Sequence, residues 1–269
     1  MIDEIIVCLD GSSMAETIAP IAQGIATVRA ATLTVFRALR NPGEVATEED
    51  YLRAAARRFG AQIRVAVSDD PAQAIIQELE KNPGAMAALT THGRTALGEA
   101  ILGSVAHRVL RGAERPIMLY CPLGSLAEAP KKITTLAVAL DGSEFAEAII
   151  PFAAEMAKSL AAQLTLLQAL PLESAVPPLP EPKKADLLES SYLHRQADAI
   201  KTTFGLEAQW DVLHGEAAQA ICSYLAGMPD TMLAMTTHGR GALQRAVLGS
   251  VASECIRHAG CPLLLYWPH

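Results

Sequence analysis

A seventeen-residue word occurs twice in this chain. TTHGRTALGEAILGSVA at 90–106 returns as TTHGRGALQRAVLGSVA at 236–252, identical at thirteen positions and displaced by 146 residues. Solenoid repeats recur every ~20–50 residues, so a displacement this long marks a duplicated domain. Each copy starts where an apolar run ends and passes through glycines and hydroxyls into a helical pattern. A loop of that composition opening a helix suits a phosphate: its backbone N–H groups are sterically accessible, and the helix end carries partial positive charge.

The flanks repeat as well. EIIVCLD (4–10) and LAVALD (136–141) are short apolar runs ending in Asp-Gly-Ser, as buried parallel strands entering helices do. Helical patterns follow at 14–29 and 145–160, then second strands at LTVF (33–36) and LTLL (164–167). IRVAV (63–67) stands against QWDVL (209–213), and further helices begin near Pro71 and Ala217. AMAALTT (85–91) and TMLAMTT (231–237) run into the repeated word, and PIMLY (116–120) and PLLLY (262–266) close each half. Strands alternating with helices at this spacing predict an α/β fold. Two tandem, doubly wound, mainly parallel five-stranded sheets with helices on both faces are expected, in domains 1–125 and 132–269. Leu123 to Lys132, broken by Gly124, Ser125 and Pro130, is the predicted linker. The closing strands are apolar edges, which invite association. The two halves are expected to pair through them as an internal pseudo-dimer with approximate two-fold symmetry, leaving a homodimer of whole chains open as a second level.

The displacement between the halves grows from 131 at the second strand to 146 at Pro71. About ten of the extra residues fall in the proline-rich stretch 171–183, and about four lengthen the following helix by one turn. The proline-rich stretch leaves the strand edge at which doubly wound sheets bind ligands, so a pocket lid and a plain surface connection are both open.

Composition removes several classes of function. The formal charge of −7, with no stripe of Lys and Arg, excludes a nucleic-acid backbone as a general partner. Although 51% of residues are hydrophobic, no window approaches the ~20 uninterrupted apolar residues of a membrane span. MIDEIIVCLDGSS has no basic n-region and reads as a first strand, not a signal peptide. The five cysteines form no CxxC and share no repeat positions, which argues against a disulfide framework or a zinc site; a reducing cytoplasm is the expected compartment.

In each half a strand ends in Thr-Thr-His-Gly, nine residues follow, and Gly-Ser opens a helix: Gly93 with Gly103-Ser104, Gly239 with Gly249-Ser250. Glycine lets an anion approach backbone N–H groups where a Cβ would block it. Ser104 is expected to cap the helix SVAHRVLRGA and to offer its hydroxyl to a phosphate oxygen. The competing reading is an ordinary helix N-cap after a loop.

Together these residues resemble a tandem universal stress protein. Gly-x-x-Gly, nine residues and Gly-Ser form the signature of that family's ATP-binding branch, within the adenine nucleotide α-hydrolase-like superfamily. Asp-Gly-Ser after the first strand and a final antiparallel-pairing strand belong to the same pattern. The similarity covers essentially the whole chain, twice, apart from the linker and 171–183. It implies ATP as ligand, with Mg²⁺ or Mn²⁺ as an optional companion. It places Asp10-Gly11 and Asp141-Gly142 beside the adenosine, and has Val35 or Phe36, and Leu166 or Leu167, offer backbone groups to the adenine edge. It puts Gly103-Ser104-Val105 and Gly249-Ser250-Val251 at the phosphates. Asp10 and Asp141 would also serve as helix N-caps.

The chain departs from the family pattern at two places. Thr90 and Thr236 replace the first glycine of the signature, and their hydroxyls are expected to reach the ribose. The C-terminal half keeps a glycine after its third strand, Gly215, where the N-terminal half has Asp69-Asp70. A carboxylate pair repels polyphosphate unless a metal intervenes, so the C-terminal pocket is expected to be the better ATP site. His92 and His238 sit in the same loops, with no second ligand at metal spacing, and read as exposed loop polarity. Arg94 and Arg240 either screen phosphate charge or are solvated loop arginines.

No GxxxxGK[ST], no GxGxxG after either first strand and no GxSxG elbow occurs. A cradle without a phosphate-binding lysine or an evident base should bind ATP far better than it hydrolyses it. Three classes of function remain: an ATP-binding stress or signalling module acting on an unidentified protein partner, a slow Mg²⁺-dependent ATPase, and an interaction scaffold with vestigial pockets.

Overall fold

The computed structural model describes residues 2–91, 102–122, 132–171, 184–228, 230–238 and 248–268. The first half runs β1 (Glu4–Cys8), α1 (Ser13–Glu16), α2 (Ala19–Arg29), β2 (Thr32–Leu39), α3 (Gly43–Phe59), β3 (Gln62–Val67), α4 (Pro71–Lys81), β4 (Ala85–Thr90), α5 (Ser104–Gly112), β5 (Ile117–Tyr120). The second runs β6 (Thr135–Leu140), α6 (Glu144–Glu147), α7 (Ile150–Leu160), β7 (Gln163–Leu170), α8 (Lys184–Phe204), β8 (Ala208–His214), α9 (Ala217–Leu225), β9 (Thr231–Thr236), α10 (Ser250–His258), β10 (Leu263–Tyr266).

The single helices expected at 14–29 and 145–160 are each two. α1 ends at Glu16 and α6 at Glu147, and both are four residues before a proline, Pro20 and Pro151. Proline has no N–H to bond the carbonyl four residues back, and its ring collides with that carbonyl. The helix therefore stops and restarts with proline in its first turn, where the missing N–H costs nothing. The lengthening expected in the second half is present: α8 has 21 residues and α3 has 17.

The two five-stranded units join edge to edge in one sheet of order β3-β2-β1-β4-β5-β10-β9-β6-β7-β8. Pairing is parallel within each unit and antiparallel at the junction. There Met118 faces Leu264, its own counterpart in the repeat, while Ile117 faces Leu265 and Leu119 faces Leu263. The contact is self-complementary, with the approximate two-fold axis through the Met118–Leu264 pair. All six side chains are at most 1% exposed, so the apolar edges are sealed inside the molecule.

Each face of the sheet carries one core shared by both halves. α2, α3 and α7 cover the face bearing Ile5, Val35, Val138 and Leu166. α4, α5, α9 and α10 cover the face bearing Ile6, Phe36, Ala139 and Leu167. One expected register is out of step. Arg37 faces Val65, and its repeat counterpart Gln168 faces Val212, so the displacement along β3 and β8 is 147 and IRVAV aligns one residue beyond QWDVL. The turn Ser68-Asp69-Asp70 is one residue longer than Gly215-Glu216 and restores 146 at the following helices. Because side chains alternate, that single residue decides which of them face the core.

Candidate functional site

All parallel strands of a unit point their carboxyl ends at one rim. From β1 the chain moves outward to β2 and β3, then crosses back to β4 on the other side. Ligands of doubly wound sheets bind where the order reverses in this way. In the N-terminal half that point is a cavity of about 580 Å³, a size suited to a small ligand. The strand ends supply Cys8 to Asp10, Phe36 to Arg40 and Leu89 to Thr91. Ala15 of α1, Glu44 and Glu48 of α3, Pro71 and Ile75 of α4, and Gly103 to Ala106 at the start of α5 complete the lining.

Asp10 closes a local turn. Its Oδ1 accepts from the Ser12 N–H at 3.0 Å and the Ser12 Oγ at 2.6 Å, and Ser12 Oγ accepts from the Ala15 N–H to cap α1. Asp141 repeats these distances with Ser143, which caps α6. The aspartates are therefore not the caps themselves; they fix the serines that are. Gly11 and Gly142 make this turn possible with φ of 83° and 79°, values an L side chain rarely adopts.

The Gly-Ser turn differs from its expected form. Gly103 and Gly249 are the N-caps of α5 and α10, without side-chain capping, so Ser104 and Ser250 occupy the first helical position with exposed side chains. The serines do not cap because only the residue before the first turn can fold its side chain back onto the N–H groups. Their hydroxyls stand beside the helix-start N–H groups of Val105-Ala106 and Val251-Ala252, which have no carbonyl within the helix to bond. The glycines are demanded by chain crossing. Gly103 N–H donates to Thr91 O at 2.7 Å and Gly249 N–H to Thr237 O at 2.9 Å. A Cβ at either glycine would stand 2.9 Å from that same carbonyl oxygen.

Thr236 and His238 also depart from expectation. The Thr236 hydroxyl donates to His238 O at 2.7 Å and so spends its proton inside the loop. His238 is 9% exposed, not a solvated loop residue. Its Nδ1 lies 2.9 Å from Thr237 Oγ1, and its ring meets Trp267 edge-to-face at 4.4 Å. Trp267 in turn touches the other half, with His107 at 6.1 Å and the Arg111 guanidinium 5.5 Å from its ring. Burial beside Arg111 pushes the His107 pKa down.

The acidic turn of the N-terminal half is not a free carboxylate pair. Asp70 caps α4 through the Gln73 N–H and is gripped by both Nη atoms of Arg108, at 2.9 and 2.5 Å. The Arg108 hydrogen bond, then the Gln73 N–H, hold its carboxyl below the usual range. Glu216 caps α9 in the same way, so an acidic cap is common to both halves. Repulsion by Asp69-Asp70 thus loses half its charge to Arg108. Gly215 has φ of 124° and donates its N–H to Leu170 O at 2.8 Å.

Of the residues singled out from sequence, Asp10, Phe36, Thr90, Gly103, Ser104 and Val105 line this cavity. Val35 does not; its side chain is wholly buried on the α2–α3 face, as is Leu166 in the other half. Leu167 is buried on the opposite face with Phe36. His92, Gly93, Arg94, Gly239, Arg240 and the proline-rich stretch lie outside the described residues, apart from Pro171. Sequence reading missed Arg37. It is 5% exposed, lines the cavity, and pairs through Nη2 with Glu48 at 3.1 Å, while its Nε and Nη1 have no hydrogen-bond partner among the described residues. Its repeat counterpart Gln168 is 2% exposed, with Oε1 unpartnered among the described residues. The signal available was a long polar residue at the same place in the two strands, just past the apolar runs Val35-Phe36 and Leu166-Leu167. Cys8 also lines the cavity, and burial pushes its thiol far up, so it stays protonated. Among the described residues no three His, Cys, Asp or Glu side chains gather to hold a metal ion, and no helix is long and apolar enough to cross a membrane.

The universal stress protein family model matches residues 1–120 and again 132–266. A universal stress protein of Mycobacterium tuberculosis is 28% identical over 148 residues, covering 48% of this chain and 46% of the relative. The match thus spans under half the length of that mycobacterial relative. One from Methanocaldococcus jannaschii is 25% identical over 136 residues, covering 48% of this chain and 79% of the relative. Among solved structures, a universal stress protein from Archaeoglobus fulgidus superposes with a TM-score of 0.73 at 16% identity, covering 98% of both chains. One from Pseudomonas aeruginosa gives 0.66 at 19%, covering 98% of this chain and 93% of that one. At these identities the superpositions speak for the fold alone.

Proposed function

The chain belongs to the universal stress protein family, and on that premise we propose that it is a nucleotide-binding stress-response or signalling module that holds ATP without turning it over rapidly. The observation that carries the reading is the cavity at the strand-order reversal of the N-terminal half. At one end it meets a helix start whose N–H groups and exposed Ser104 hydroxyl suit phosphate oxygens. At the other it meets the end of β2, where Phe36 to Leu39 line the cavity beside Cys8 and Leu89. The C-terminal half repeats the turn with the same hydrogen bond and the same close approach at Gly249. Binding in preference to turnover fits the described lining, which offers a Cys8 held protonated by burial and no lysine. Domains 1–125 and 132–269 each carry one such site, and a nucleotide-dependent surface would act on a protein partner.

Ser104→Asp and Ser250→Asp test the cradle without damaging the helix. A carboxylate in a first helical turn favours the helix by about 0.3–1 kcal/mol, yet it repels a polyphosphate. Calorimetric titration of ATP–Mg²⁺ into the intact chain should show saturable binding that weakens at least tenfold at the altered site, with melting temperature unchanged or raised. Undiminished affinity in both variants would place the phosphates elsewhere. Phosphate release measured on the same samples should stay slow; rapid release would favour the ATPase reading.

A further inference from the structure

We infer that Cys222 and Cys255 form an oxidation site: a hydroperoxide oxidises Cys222, and Cys255 resolves the product as a reversible disulfide joining α9 to α10. The inference does not depend on the nucleotide reading above. It starts from the helix pattern. Ala218, Ile221, Cys222 and Leu225 recur at helical spacing on α9, as Ala252, Cys255, Ile256 and Ala259 do on α10. The two helices pack on each other and on one core, with Cys255 wholly buried and Cys222 partly exposed at its margin. The first half builds the same contact from hydrocarbon. Ile76 and Val109 stand 146 residues before Cys222 and Cys255, with matching burial. A Cβ on Gly112 of α5 would collide with Ile76 Cδ1, so that side chain lies against the facing helix, one turn past Val109. Packing α9 on α10 therefore does not require sulfur.

The two thiols are placed for different roles. A hydrogen bond from Cys255 holds the Cys222 thiol below the ordinary cysteine range, against burial and the carboxylates of Glu216 and Glu254. The same hydrogen bond, then burial, pushes the Cys255 thiol far up, so Cys255 keeps its proton and Cys222 carries the thiolate. A thiolate is the nucleophile, and Cys222 is the member of the pair that solvent reaches. Cys261, at the start of the segment entering β10, is pushed up to about 12 by burial and meets the other two through charge alone. Among the described residues the cysteines form no metal-binding group. All five are free thiols in this structure, the state from which oxidation starts.

The Cys222 thiolate attacks one peroxide oxygen and the O–O bond breaks. Hydroxide leaves and takes up a proton as water, while the sulfur becomes a sulfenic acid. Cys255 then attacks that sulfur: the S–S bond forms, the S–O bond breaks, and the Cys255 proton departs with the hydroxyl as a second water. Together the thiols give up two electrons and two protons, and the peroxide is reduced. Because its electrophile arrives on the neighbouring helix, Cys255 needs no access to solvent. The bond ties α10, which begins at the Gly249-Ser250 turn, to α9, which begins at Ala217 beside Gly215-Glu216.

The intact chain is exposed to hydrogen peroxide, denatured, alkylated and digested for mass spectrometry. Three of the five thiols should remain, with one cross-linked peptide pair, Cys222 to Cys255, lighter by two hydrogens and restored by dithiothreitol. Cys255→Val, which copies the first half at Val109, should halt the reaction at a Cys222 sulfenic acid that a 1,3-dione captures. The parent experiment alters no residue, so it decides the matter whether or not the variant folds. Cys222 and Cys255 both still alkylated, at a peroxide dose that oxidises free cysteine in the same solution, would overturn the inference. So would Cys222 bonded to Cys261 or to a second chain.

Discussion

Replacing Gly249 with alanine separates a phosphate-binding role from a chain-crossing role. Gly249 has φ −61° and ψ 151°, a conformation alanine adopts freely. By backbone entropy alone, the change would stabilise the fold by about 0.4–1 kcal/mol. The surroundings reverse that sign. The added Cβ would sit 2.9 Å from Thr237 O and 3.8 Å from His238 Cα. The same carbonyl accepts the Gly249 N–H at 2.9 Å, so relieving the collision lengthens the hydrogen bond. Overpacking costs about 1–3 kcal/mol, and the weakened bond up to about 0.5–1.5 kcal/mol. Setting the entropic gain against these leaves a net loss of about 2 kcal/mol, or about 4–8 °C in melting temperature for a chain of this size. Differential scanning fluorimetry of nucleotide-free protein reads this directly. Gly103→Ala, whose Cβ meets Thr91 O at the same 2.9 Å, should match it. A Gly249→Ala protein that melts at or above the parent would refute the crossing argument and return the glycine to a role in anion access alone.

Two further perturbations probe the surroundings of the sites. Asp70 has its carboxyl pKa held down by Arg108, so its contribution is present above the ordinary carboxylate pKa of about 3.9 and fades as pH falls through the lower folded value. The parent should therefore lose melting temperature more steeply than Asp70→Asn between pH 5 and 3, with asparagine still capping α4; parallel curves would show that the Arg108 contact is idle. Trp267→Ala removes a side chain 4% exposed that packs His238 against α5 of the other half. Urea unfolding should show a loss of about 3–5 kcal/mol; a loss below about 1 kcal/mol would mean that the tryptophan fills no tightly packed space.

The strands were legible because each is a short apolar run between turn residues, and the pairing of the halves because PIMLY and PLLLY leave apolar edges that need covering. What sequence hid was set by contacts at a distance or by single-residue geometry. Pro20 splits a helical pattern by clashing with a carbonyl four residues back, yet the apolar periodicity runs through the break. His238 reads as loop polarity until Trp267, 29 residues later, closes over it. Ser104 stands beside the cap instead of being it, a difference of one position that capping patterns do not resolve. Asp70 reads as repulsive because its partner, Arg108, arrives from a helix distant in sequence. Arg37 reads as the end of a strand, since its burial depends on α3 bringing Glu48 to it.

Native mass spectrometry of the intact chain in ATP–Mg²⁺ tests the central claim most directly, because it counts nucleotides on each molecule. The account expects a first ATP at low concentration, lost in Ser250→Asp, and a second, weaker one lost in Ser104→Asp. A chain that stays free of nucleotide throughout, while remaining folded, would contradict it and leave the two cradles as structural turns in an interaction scaffold.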